Sequence, residues 1–101
     1  MSGATLTAAG DSRCEVAGDL DFSSVPDIWP QLEKRISAGG ELTVSLAGVD
    51  RANSAGLVML VEARDLAKDS ACNLSLTDIP SALRDLAAMS GCDTIIAPAG
   101  A

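Results

Sequence analysis

Few side chains in this sequence are equipped for chemistry. The best placed is Ser54, which follows Asp50-Arg51-Ala52-Asn53 and opens the run Ala55-Gly56-Leu57-Val58-Met59-Leu60-Val61. Its hydroxyl is suited to accept a backbone N–H left without a partner in a first helical turn, so the sequence predicts a helix starting at Ser54 or one residue earlier, with Ser54 as cap. A hydroxyl becomes a nucleophile beside a base, and the chain contains no histidine. Asp19 and Asp21 could act as an acid–base pair, but carboxylates on a strand-to-helix turn more often cap the backbone or face water. Cys14, Cys72 and Cys92 are odd in number and lack C-x-x-C spacing, which argues for small buried hydrophobes over zinc ligands or disulfides. No G-x-x-x-x-G-K loop is present to cradle phosphates. Neither catalysis nor a cofactor is expected, and the chemistry left to the chain is docking.

The helix that follows Ser54 carries the docking surface. Ala55 to Val61 includes no polar side chain, whereas a helix that merely covers a sheet should show polar residues within two turns. At 100° per residue, Gly56, Met59, Leu60, Ala63, Leu66 and Ala67 form the stripe expected against a sheet. Leu57, Val58 and Val61 fall outside it, on the side of Glu62, Arg64, Asp65 and Lys68. An apolar patch beside a helix cap reads as a surface for another protein, and the predicted set is Asn53, Ser54, Ala55, Leu57, Val58 and Val61. The alternative is a helix buried more deeply, its apolar arc recentred between Leu57 and Leu60.

Composition narrows the partner. Fourteen acidic residues against seven basic ones give a formal charge of −7, which repels nucleic-acid phosphates and anionic headgroups. Phe22 and Trp29 are the only aromatics, too few for base-stacking platforms. Apolar runs fall far short of the roughly 20 residues that span a bilayer, and no secretory signal is visible at the N-terminus. These features predict a cytoplasmic protein with no nucleic-acid partner and no direct membrane insertion. A chain of 101 residues is expected to form a single domain over 1–101, able to bury about two thirds of its unfolded surface.

The positioning elements follow from periodicity and breakers. Residues 4–9 and 13–17 read as paired strands around Gly10-Asp11-Ser12, and residues 41–47 and 72–77 as stronger strands. Thr94-Ile95-Ile96-Ala97 reads as a short closing strand. A first helix is expected from Ser24 to Ala38, stopped by Gly39-Gly40 and regular only from Pro30 onward. A second runs from Ser54 to about Asp69, and a third from Ser81 to Ser90, with Pro80 before it and Gly91 after it. The order β, β, α, β, α, β, α, β implies an α/β fold with a four- or five-stranded mixed sheet and three or four helices.

Three stretches carry a family resemblance. Gly18-Asp19-Leu20-Asp21 is similar to a G-E-L-D turn, Asp50 to Leu57 resembles a D-S-S-G-L or D-T-G-G-L helix opening, and Pro80 to Gly91 looks like a helix finishing in M-S-G. Spread in order over positions 18–91, they make the chain resemble the STAS domain of anti-sigma factor antagonists and of sulfate-transporter tails. Its minimal length and Trp29 in the first helix resemble the MlaB-like members, small STAS subunits of a phospholipid-transport complex of Gram-negative bacteria. That likeness implies a non-catalytic subunit bound to an ABC transporter ATPase, peripheral to the inner membrane through that partner. It would serve outer-membrane lipid asymmetry. A homodimer is left open.

The resemblance gives Ser54 two alternative roles. It matches the residue phosphorylated in the antagonists, and also the threonine of MlaB-like members, where it implies an interface. Antagonists carry Asp directly before that serine. Here the position is Asn53, with Asp50 three residues back, so the charge is lost while the hydrogen-bonding reach is kept. An antagonist switched by phosphorylation of Ser54 is the alternative function, since about two added negative charges would be desolvated at an interface.

Overall fold

The computed structural model describes residues 3–92. The expected closing strand at 94–97 lies outside the described residues. Strands β1 (Ala4–Ala8) and β2 (Arg13–Leu20) form the expected hairpin, with Leu6 opposite Val16 and Ala8 opposite Cys14. Helix α1 (Val25–Ser37) crosses to β3 (Gly40–Ala52), and α2 (Ser54–Asp69) crosses to β4 (Cys72–Thr77), which precedes α3 (Ser81–Met89). Sheet order among the described residues is β1-β2-β3-β4, antiparallel in the first pair and parallel in the other two. Among the described residues the sheet is thus mixed and four-stranded, with three helices.

Alternation sets the layers. Cys14 and Val16 of β2, Leu42, Val44 and Leu46 of β3, and Cys72, Leu74 and Leu76 of β4 are buried on one face. Ile28, Leu32 and Ile36 of α1, Leu60, Ala63 and Ala67 of α2, and Leu83 and Ala87 of α3 belong to the same core. The stripe expected on α2 therefore does face the sheet. Burial pushes the Cys14 and Cys72 thiols above the ordinary range, as for the small hydrophobes anticipated.

Two elements differ from expectation. Helix α1 is continuous from Val25 through Pro30. Pro30 sits in the second turn, where the bond it forgoes is to the carbonyl of exposed Pro26, which water can satisfy. Strand β3 runs to Ala52, well past the predicted end at residue 47. Its last half pairs Gly48 with Ala17, Val49 with Gly18, Arg51 with Asp19 and Ala52 with Leu20, across two register shifts. Gly18 makes one of these shifts: its φ of +93° suits glycine, and a Cβ there would collide with the Gly3 carbonyl.

The far end of the sheet is fastened by Arg35. From α1 its guanidinium donates to the carbonyls of Gly10 (3.0 Å) and Arg13 (3.3 Å), holding the β1–β2 turn against the helix.

Candidate functional site

At the opposite end, the long β3 delivers the chain directly into α2. Asn53 is the joint. Its backbone is extended, its N–H donates to the Leu20 carbonyl of β2 (3.1 Å), and its carbonyl accepts the Gly56 N–H (3.0 Å). The side-chain Oδ1 accepts the Ala55 N–H at 2.9 Å. The cap is therefore Asn53. Ser54 is the first residue inside the helix, which corrects its expected capping role and leaves it exposed. Asparagine caps as well as aspartate, so the missing charge at this position costs the fold little. Asn53→Ala is expected to lower stability by about 1 kcal/mol, a drop in melting temperature of roughly 4–8 °C for a domain this size, measurable by calorimetry.

The expected docking residues divide on the two sides of α2. Val58 is 58% exposed, and Val61 is partly buried against the core. Leu57 is 6% exposed and Ala55 7%, so Leu57 turns inward and does not join an outward patch. The cause lies in the neighbours. The first turn of α2 rests on the end of β2 and on α3, and a Cβ on Gly56 would meet Leu20 at 3.1 Å and Leu83 at 3.5 Å. Helix α2 also packs against α1, and walls on more than one side widen the buried arc beyond a single stripe, as in the deeper-burial alternative.

One exposed hydrophobe is not singled out by periodicity. Phe22 is 72% exposed, two residues beyond Leu20, whose carbonyl holds the Asn53 N–H. The turn carrying it is rigidly built. Asp21 Oδ1 accepts the N–H groups of Ser23 (2.9 Å) and Ser24 (3.0 Å) and the Ser23 hydroxyl (2.7 Å). Buried Ser24 donates its hydroxyl to the Asp19 carbonyl (2.7 Å) and accepts the Asp21 N–H (2.9 Å). A lone Phe among Asp and Ser after a strand end was the available signal, since a fully solvated turn has no use for an aromatic ring. Trp29 packs partly buried against the core below.

Hydrogen bonds from Ser23 and Ser24 hold the Asp21 carboxyl below its ordinary value of 3.8. A depressed folded-state pKa stabilises the protein above the unfolded value, and that contribution fades as pH falls through the folded one. The stability gap between wild type and Asp21→Asn is therefore expected to be open at neutral pH and to close on acidification below 3.8. Denaturant midpoints across that range read it.

What results is two exposed hydrophobes, Phe22 on the turn after β2 and Val58 on α2, and a helix start whose Asn53 and Ser54 are polar and exposed. Asp50, Arg51, Glu62 and Asp65 are exposed nearby in sequence. Such a site can bury two hydrophobes and offer a hydroxyl and an amide; it presents no nucleophile–base pair. Among the described residues no helix is long and apolar enough to cross a membrane.

Comparison with known proteins places the family and the fold. The family model described as the MlaB STAS domain matches residues 5–97. No curated protein sequence matches the chain. Among solved structures, the anti-sigma factor antagonist SpoIIAA in its unphosphorylated form is similar over 90% of this chain and 83% of its own, at 17% identity and a TM-score of 0.68. A structure titled Mglu is similar over 74% of this chain and 19% of its own, at 18% identity and a TM-score of 0.56.

Proposed function

Because the chain belongs to the STAS-domain family of the MlaB type, we propose that it is a non-catalytic cytoplasmic subunit. It binds the ABC ATPase of a phospholipid-transport system that maintains outer-membrane lipid asymmetry. STAS domains work by protein–protein interaction, and the observation that carries the reading is that Phe22, on the turn after β2, and Val58, on α2, are large hydrophobes left exposed, with Asn53 and Ser54 exposed at the helix start. An exposed aromatic on a pre-ordered turn can anchor a partner at little entropic cost. In this reading Asn53, Ser54 and Val58 form the centre, Val61 the margin, and Ala55 and Leu57 support it from below. The protein regulates or stabilises its ATPase and reaches the membrane through it.

A second reading is an anti-sigma factor antagonist switched at Ser54. The exposed hydroxyl at the first position of α2 favours it, because a phosphate there meets the positive end of the helix dipole. Purification of the tagged protein from its own cells, with identification of what accompanies it, separates the two. An ABC ATPase with unmodified Ser54 supports the first reading. A serine kinase together with phosphate on Ser54 overturns it in favour of the second.

A further inference from the structure

Helix α2 leaves its outward side uncovered along its whole length. Projected at about 100° per residue, Ser54, Glu62, Asp65 and Asp69 all fall within about 40° of Val58, and each of these residues is exposed. They span the helix from its first residue to its last, about 23 Å. The two cations of α2 stand to one side, Lys68 about 80° and Arg64 about 120° from Val58. The Arg64 guanidinium donates to the Leu74 carbonyl of β4 at 2.6 Å, which draws it toward the sheet. The outward side therefore carries one large hydrophobe followed by a line of carboxylates.

This arrangement works against the helix that carries it. Glu62 and Asp65 are three residues apart and Asp65 and Asp69 four, spacings at which like charges repel. Asp69 closes the last turn, where the helix dipole disfavours a negative charge. Natural sequences break local rules of this kind mostly at functional surfaces, and cations laid over the carboxylates would relieve the repulsion. Resting on the docking reading above, we propose that a basic surface of the ATPase covers the outward side of α2. A hydrophobe of that surface meets Val58, and its Lys or Arg side chains meet Glu62, Asp65 and Asp69. Nucleic acid and anionic lipid carry the same sign of charge as this side and are repelled by it. Opposite charges arranged in this way speed the encounter more than they tighten the final contact.

Two triple variants test this. Glu62→Gln/Asp65→Asn/Asp69→Asn neutralises the outward side of α2. Asp11→Asn/Glu15→Gln/Glu33→Gln removes as many charges from exposed positions outside α2, so both chains have the same net charge. Stopped-flow association with the purified ABC ATPase of the same cells, from about 20 to about 300 mM salt, is the measurement. Wild type is expected to associate roughly tenfold or more slowly at the high salt than at the low. The α2 variant should associate roughly tenfold more slowly than wild type at low salt and lose most of the salt dependence, while the other variant stays close to wild type. Its low-salt melting temperature should equal or exceed that of wild type, because the like-charge pairs are gone. Association of the α2 variant at the wild-type rate, equal losses in both variants, or an α2 variant that melts well below wild type overturns the proposal. Val58→Glu separates it from the docking reading. ATPase binding that is abolished by Val58→Glu but indifferent to the carboxylates keeps the docking reading and overturns the basic partner surface, whereas a wild-type chain that binds no ABC ATPase overturns both.

Discussion

Replacing Val58 by glutamate is expected to abolish co-purification with the ABC ATPase proposed as partner while leaving the melting temperature nearly unchanged. Val58 projects from α2 into solvent, so the fold already tolerates water around it, and exposed substitutions usually fall within about 0.5 kcal/mol. At an interface the same position would be desolvated, and a buried unpaired carboxylate there costs at least about 2 kcal/mol, roughly a 30-fold loss of affinity. Ser54→Arg at the first helical position should act in the same direction through bulk and charge. Phe22→Ser should match them by removing the anchor. Leu57→Glu is the internal control: Leu57 is buried, so that variant should lose its fold along with its partner. Wild-type retrieval of the ATPase by both Val58→Glu and Phe22→Ser would place the docking surface elsewhere.

The largest effect on stability is expected from Leu60→Asp. Leu60 is fully buried on α2, in the same cluster as Leu46 and Leu83. Burying a carboxylate there, without a partner, adds a desolvation penalty to the lost apolar contact, a total above about 4 kcal/mol. Domains of this size have only about 5–15 kcal/mol to lose. Circular dichroism and thermal melting should show a largely unfolded or severely weakened protein at 25 °C. An unchanged thermal midpoint would remove Leu60 from the core. Val58 and Leu60 are two residues apart, and the opposite behaviour of the two variants is what separates docking from folding on this helix.

Much of the fold was legible because apolar periodicity and breakers agreed. Cys72, Leu74 and Leu76 alternate with Asn73, Ser75 and Thr77, and β4 forms where they do. Gly39-Gly40 stops α1 as expected, and both glycines have positive φ. The second half of β3 was not legible, because Ala47 to Arg51 holds one large apolar residue and pairs with β2 through shifts that destroy any strict two-residue period. The helix start was placed correctly to within one residue, but Asn53 and Ser54 are both good capping residues, and only the bond to the Ala55 N–H distinguishes them. Leu57 was misplaced because a helical projection knows one packing wall, whereas α2 meets α1 and α3 as well as the sheet. Phe22 escaped because no period governs a turn; its position depends on the Asp21 and Ser24 bonds that stiffen the turn.

The central place of β3 also shapes how the chain reaches this structure. Both of its neighbours run parallel to it, so neither ladder can close as a hairpin, and each must wait for a whole helix to cross over. The one local pairing among the described residues, β1 with β2, is a two-stranded ribbon that is at best marginal by itself. Folding is therefore dominated by non-local contacts, and its transition state must bring β3 together with at least one crossover helix. Core changes in β3 slow refolding. Changes at Phe22 or Val58, which face outward, leave refolding rates alone, so the surface proposed for docking can vary without touching the step that makes the protein.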